Sequence, residues 1–434
     1  MIEKFILSPI QKFIKTESLS GILLFVSTII ALVWANSALG GFYESVWQYK
    51  IGIDSENFRL VKPLLLWIND GLMAIFFFLI GLEIKREILV GELNSMKKAS
   101  LPIFAAIGGM IVPLSLYLLL NKNPDTANGW GIPMATDIAF SLAILQLLGK
   151  RVPLGLKIFL TAFAIIDDIG AVLVIAVFYT GDIQWHLLIY AFLLLFLLYA
   201  MSAGRIYLKY IILAVGLVVW YLFLKAGIHP TIAGILLAFA IPVRQRIKIK
   251  IFTEKLSQIV DKIKSSQQRQ DLPILSEKQI EEIDNLEDWT SKVQSPLQQL
   301  EHRLHHWVAY LIMPVFALSN AGVNFSSETS LDYSVSLAIA ISLLIGKMVG
   351  ITVFSWLSIR MKMAVLPSHT NYRHILGVSL LAGVGFTMSI FIANLAFTDS
   401  AVYLNSAKMG IIIGSLVSGI FGYVLLRYSK PVEG

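Results

Sequence analysis

The chain has 434 residues, of which 56% are hydrophobic and only 15% charged, far below the quarter expected of a soluble protein. With apolar runs of about twenty residues, that composition excludes a soluble globular protein and places the chain in a membrane. No cysteine is present, which excludes disulfides and thiolate metal sites, and the net charge of +7 is a matter of topology rather than nucleic-acid binding.

Taken in order, Met1 to Lys15 lacks the apolar core and cleavage site of a secretory signal and is read as retained. It places Ile2, Phe5, Ile6, Ile10, Phe13 and Ile14 on one side of a helix, with Lys4, Lys12 and Lys15 as interfacial cations, the pattern of a helix lying in the membrane surface. The apolar runs then predict an all-α polytopic fold of about twelve spans. They fall near 18–36, 63–84, 99–120, 129–149, 153–179, 184–203, 207–225, 228–242, 305–322, 335–357, 375–396 and 408–427. Residues 37–62 form the first outer loop. There Trp47, Tyr49, Ile51 and Ile53 alternate with polar partners before a turn at Asp54-Ser55-Glu56-Asn57 and then Phe58 and Leu60, a β-hairpin signal. Of the 35 Lys and Arg, 28 fall on the loops, termini and flanking span ends of one side, 6 on those of the other, and Lys347 lies deep inside a span. By the positive-inside rule both termini are cytoplasmic.

The fifth span is broken once, by Asp167 and Asp168. The apolar stretch Ile158 to Ile166 carries the pair inward by ~14 Å at the α-helical rise, close to the middle of a hydrocarbon core roughly 30 Å thick. Ionisable groups at that depth mark an ion or proton path. The fourth span holds Gly129, Gly131 and Pro133 and then Ala135-Thr136-Asp137, and the eleventh holds Gly383-Val384-Gly385-Phe386-Thr387 at comparable depth. Both are expected to unwind there, exposing backbone groups that must line a cavity or be covered by protein. Asp137 then compensates the positive N-terminal ends of the half-helices, and a cation the negative C-terminal ends. Lys347 in the tenth span supplies that cation. Spans three to five and ten to twelve thus repeat one pattern in mirrored order, as inverted-repeat transporters do.

Oxygen ligands suit a hard cation such as Na⁺. Adjacent carboxylates in a low dielectric resist joint ionisation and titrate as a coupled set. Proton and Na⁺ are then rivals for the same oxygens of Asp167 and Asp168. One site that holds either ion and opens to each side in turn is antiport in outline, with Lys347 as counter-charge once Na⁺ has left.

Residues 243–304, between the eighth and ninth spans, are the one composition break. Arg244, Arg246, Lys248 and Lys250 form a basic strip suited to anionic lipid, and Glu277, Glu281, Glu282, Asp284, Glu287 and Asp288 form an acidic patch. One or two amphipathic helices over the membrane face are expected in this cytoplasmic insertion. Nothing marks it as a separate domain, so 1–434 is read as one integral membrane transporter.

The chain resembles the NhaA-type sodium/proton antiporters. The motifs are Asn69-Asp70-Gly71-Leu72-Met73, Gly81-Leu82-Glu83-Ile84-Lys85-Arg86-Glu87, Ala135-Thr136-Asp137-Ile138-Ala139-Phe140 and Ala164-Ile165-Ile166-Asp167-Asp168. Leu344-Ile345-Gly346-Lys347 and Gly385-Phe386-Thr387-Met388-Ser389-Ile390-Phe391-Ile392-Ala393 follow. The resemblance implies two crossed interrupted helices, the fourth and eleventh. It also implies pH-regulated, electrogenic exchange of Na⁺ or Li⁺ for protons without a cofactor, pH homeostasis at a bacterial inner membrane, and a homodimer joined through the first outer loop. Glu83, Arg86 and Glu87 share a helical face at a cytoplasmic helix end. By themselves they read as a solvated helix end, but the resemblance assigns them, with Glu301 and His305, to a pH-sensing cation funnel. His229 matches an outer pH-response position. The chain departs from the family at His306 and Met348, where Pro is common, and in the length of the insertion.

Other classes fit less well. An intramembrane aspartyl protease carries its two Asp on two helices. A prenyl transferase needs a second acidic cluster, and Gly149-Lys150-Arg151 and Gly346-Lys347-Met348 lack the spacing of a phosphate loop. The alternative is a secondary transporter of another solute, such as a sodium/bile-acid-like symporter.

Overall fold

The computed structural model describes residues 2–55, 58–204, 207–245, 247–265, 276–324 and 331–429. Helix α1 (Ile2–Ala35) and a short α2 (Gly40–Gln48) lead into an antiparallel hairpin of β1 (Lys50–Ser55) and β2 (Phe58–Pro63). Then come α3 (Leu64–Leu89), α4 (Met96–Leu120), a 3₁₀ segment (Pro124–Met134) continued by α5 (Ile138–Leu147), and α6 (Leu154–Phe178). Helices α7 (Trp185–Ala203), α8 (Lys209–Lys225) and α9 (Thr231–Ala240) precede the insertion, which folds as α10 (Ile249–Ser265) and α11 (Glu277–Val293). The chain closes with α12 (Pro296–Trp307), α13 (Met313–Asn320), α14 (Tyr333–Arg360), α15 (Tyr372–Ala382), α16 (Phe386–Ala396) and α17 (Ala401–Tyr428).

The protein is an all-α polytopic membrane protein. Among the described residues six helices are long and apolar enough to cross a membrane alone, and three bent pairs raise that to nine. The remaining expected spans fall on α8, on the ten-residue α9, and on α12 and α13, which a π-helical turn at Val308–Ile312 joins. Further π turns interrupt α3 at Ile68–Leu72 and α14 at Ser342–Gly346. The second ends directly before Lys347, and such turns re-aim the side chains that follow.

The N-terminal segment runs into the first span as one 34-residue helix. The first outer loop differs from the expectation in one respect: Trp47 lies in α2, and the strand begins at Lys50. Tyr43 and Trp47, four apart, meet edge to face on one helical face with ring centroids 5.9 Å apart, and Tyr43 packs on Trp34 at 5.3 Å. That aromatic contact favours helix over strand for residues 40–48. In the hairpin Lys50 pairs with Pro63 and Ser55 with Phe58; the expected turn residues Glu56 and Asn57 lie outside the described residues.

The insertion forms the two expected amphipathic helices. Lys262 of α10 pairs with Glu282 of α11 at 2.8 Å, Lys255 lies over the Trp289 ring, and Ile259 and Val293 are buried. Arg246 of the basic strip falls outside the described residues.

Candidate ion-binding site

The fourth and eleventh spans are broken where their Gly and Thr residues lie, with bends of 47° and 44°. Their breaks meet. Asp137 N–H donates to Val384 O (2.7 Å), Ser141 Oγ to Leu381 O (2.9 Å) and Ser389 Oγ to Ile132 O (2.8 Å). Gly385 and Phe386 N–H both donate to Ser415 Oγ of α17, each at 3.2 Å. Backbone groups freed by unwinding are thereby satisfied by protein, as hydrocarbon requires. Gly383 and Gly385 have ordinary negative φ values, so their role is close approach. A Cβ at Gly385 would meet Ala135 O at 2.9 Å, and one at Gly383 would meet Leu343 O at 2.5 Å.

Asp137 caps the N-terminal ends of two half-helices at once. Its Oδ1 accepts from Phe140 N–H in the first turn of α5 (3.0 Å). Its Oδ2 accepts from Thr387 N–H (3.2 Å) and from the Thr387 hydroxyl (2.5 Å) at the start of α16. One buried carboxylate thus faces two positive helix ends. At the opposite ends, Lys347 Nζ donates to Thr136 Oγ1 (2.9 Å), and that hydroxyl donates onward to Ala382 O, the last carbonyl of α15 (3.0 Å).

The two acids of α6 part company. Successive helical residues point about 100° apart. Asp167 turns to Lys347, whose Nζ is 2.8 Å from its Oδ2, with both side chains fully buried. Among the described residues Asp167 Oδ1 has no hydrogen-bond partner, and Lys347 Nζ also lies 5.7 Å from the Phe163 ring. Asp168, buried as well, makes no side-chain hydrogen bond among the described residues and lines a cavity of about 50 Å³. Thr136, Asp137, Thr161 and Thr387 line the same cavity, which has room for a small cation with water.

Glu83 and His305 line that cavity too, so it links Asp168 to the rim predicted from sequence. Arg86 pairs with Glu301 and, at 2.8 Å, with Glu87; His305 Nδ1 lies 3.9 Å from Glu83 Oε1. Arg86, Glu87 and Glu301 thus form one cluster between α3 and α12, with the Glu83–His305 pair beside it. Burial pushes the Glu301 carboxyl above its ordinary range, with Arg86 pulling it back.

His229 stands elsewhere. Its Nδ1 is 2.7 Å from Thr231 Oγ1, its Nε2 is 3.7 Å from Asp70 Oδ1, and Lys62 of the hairpin pairs with Asp70 at 2.6 Å. Next to it Asn320 exchanges amide hydrogen bonds with Asn69 and accepts one from Asn394. One turn beyond Thr387, Phe391 packs on Phe77 (5.6 Å), Phe316 (6.2 Å) and the His229 ring (5.2 Å). Sequence reasoning quoted Asn69 and Asp70 only inside a motif and missed Lys62, Asn320, Asn394 and Ser415. Single polar residues spread over four elements carry no periodic signal.

The Na+/H+ antiporter 1 family model matches residues 11–426. A Na(+)/H(+) antiporter NhaA of Oleidesulfovibrio alaskensis is 49% identical over 428 residues, covering 97% of this chain and 94% of the relative. Another, NhaA 1 of Saccharophagus degradans, is 45% identical over 97% of this chain and 92% of its own length. The NhaA of Bacteroides fragilis is 44% identical over 98% of this chain and 99% of its own.

Removing one partner of a buried ion pair strands the other charge, at a cost of roughly 3–5 kcal/mol. Lys347→Ala is therefore expected to lower the thermal midpoint of the detergent-solubilised protein sharply, and Lys347→Ala with Asp167→Asn to recover much of it. Additive losses in that cycle would show that the pair is not coupled. Ser415→Ala strips the acceptor from two buried N–H groups and is expected to cost about 1–3 kcal/mol in the same assay, and an unchanged midpoint would mean that water or a neighbour replaces it.

Proposed function

The chain belongs to the Na+/H+ antiporter 1 family, and from that premise we propose that Asp168 is the carboxylate for which Na⁺ and protons compete. The protein is a multi-pass membrane transporter that exchanges Na⁺ for H⁺ and not an enzyme; with the family, the symporter and protease readings fall away. The observation that carries the proposal is the division of labour on α6: Asp167 is engaged by Lys347 while Asp168 borders the cavity shared with Glu83 and His305.

On this reading Na⁺ or Li⁺ enters from the cytoplasm past Glu83 and His305, displaces a proton from Asp168 and takes oxygen ligands there. Added positive charge beside Lys347 weakens its hold on Asp167, which frees a second carboxylate for the ion. Lys347 surrenders its proton as Asp167 turns to the ion, so that two protons leave as one Na⁺ binds. When the protein opens to the other side, one proton returns to Asp168 and one to Lys347, Na⁺ leaves, and the Lys347 ammonium again neutralises Asp167. Because two protons then move against one Na⁺, exchange is electrogenic, and a potassium–valinomycin clamp will change its rate. Asp137 stays ionised between two helix ends and fixes the breaks, while Thr136 couples Lys347 to the end of α15.

The charge distribution supports cytoplasmic termini and an inner-membrane location. The exposed hairpin, whose β1 residues are all solvent-facing, offers the edge for a homodimer. The network of Glu83, Arg86, Glu87, Glu301 and His305 acts as the pH sensor, with His229 and Asp70 as a second responsive pair on the outer side. Lipid fills the apolar perimeter.

Asp168→Asn in proteoliposomes is expected to abolish Na⁺-driven pH change, since an amide cannot alternate between proton and cation; normal exchange would end the proposal. For the rim, Glu301→Gln leaves Arg86 with less negative charge nearby. More of the neighbouring groups must then lose protons before the mouth attracts Na⁺ as before, so the activation profile between about pH 6 and 9 is expected to move to higher pH. A profile that overlays the parent would make the rim a plain helix boundary.

A further inference from the structure

One cluster of metal-ligating side chains has no part in this scheme. Helix α12 carries three histidines, of which only His305 faces the cavity. His302 and His306, four residues apart, are exposed on the flank of that face, with ring centroids 5.5 Å apart. Residues at this spacing on a helix have Cβ atoms about 5–6 Å apart, and two imidazoles so placed meet one metal ion from a single face, as in helical His-x-x-x-His zinc sites. His306 is held in place by Tyr310, one turn on, whose ring lies parallel to it at 5.9 Å.

We propose that His302 and His306 form a two-imidazole chelate for a divalent transition ion of the Zn²⁺ class at the flank of the cytoplasmic mouth, and that its occupation slows exchange. Among the described residues no group of three or more His, Cys, Asp and Glu side chains is gathered to hold a metal. Water therefore completes the shell, which makes the ion exchangeable rather than structural. The neighbour of His306 is His305, 6.3 Å away between ring centroids, and His305 lies beside Glu83. A doubly charged ion here adds positive potential at the entrance that Na⁺ must pass and lowers the local concentration of the transported cation. The inhibitory half of the proposal rests on the antiport reading; the binding half does not.

The test uses full-length protein without a polyhistidine tag, stripped with chelator and titrated with Zn²⁺ alone against a competing fluorescent indicator. The parent is expected to bind Zn²⁺, and His306→Ala and His302→Ala each to bind at least about tenfold more weakly, with unchanged thermal midpoints because both side chains are exposed. Equal affinity in parent and variants, or none in the parent, overturns the site. In proteoliposomes, Zn²⁺ on the side bearing His302 is expected to slow exchange by the parent and to spare His306→Ala. Binding that His306→Ala loses, with exchange indifferent to Zn²⁺, keeps the chelate and overturns the inhibition. Absence of exchange in every protein before Zn²⁺ is added would instead count against the antiport reading.

Discussion

A charge cannot stand alone in the middle of a hydrocarbon layer, and the core of this protein sets three ionisable groups against partners and a fourth against a cavity. Lys347 and Asp167 neutralise each other at 2.8 Å. Asp137 is neutralised by two helix N-termini and a hydroxyl. Asp168 has only the cavity. That asymmetry ties fold to function. The breaks in two spans exist so that Asp137 and Lys347, through Thr136, have helix ends to face. Once those charges are satisfied, one carboxylate is left facing the cavity, and on the proposed reading it serves the ion that comes and goes.

The arrangement also explains why the broken helices need no flexibility argument. Each freed backbone group described above has a named partner, from Val384 O to Ser415 Oγ. The junction is held by these hydrogen bonds. The ring contacts of Phe391 with Phe77 and Phe316 form an apolar barrier beyond Thr387. On its far side sits the polar group of Asn69, Asn320, Asn394, Asp70 and Lys62. Phe391 and Thr387 share α16, so a tilt of that short helix would move the barrier and the Asp137 cap together.

Much of this was legible in the residues. Charge inside an apolar run announced Asp167, Asp168 and Lys347, because the cost of burial leaves few innocent explanations. Glycine and threonine at matching depth announced both breaks. The family motifs supplied the rim. What sequence could not show was direction. That Asp167 faces Lys347 while Asp168 faces the cavity depends on helix rotation and on the π turn before Lys347. Trp47 was misassigned to a strand because its contact with Tyr43, which packs in turn on Trp34, declares itself only in three dimensions. The role of Ser415 was invisible for the same reason: one serine in a serine-bearing helix, aimed at two N–H groups thirty residues away.

If Na⁺ and protons compete for one carboxylate group, binding one ion expels the other even without transport. Adding Na⁺ to purified protein in weakly buffered detergent solution and following a pH indicator tests this directly. The account predicts prompt proton release that saturates with Na⁺ and disappears when Asp168 is replaced by Asn. Saturable Na⁺ binding with no proton release would contradict it.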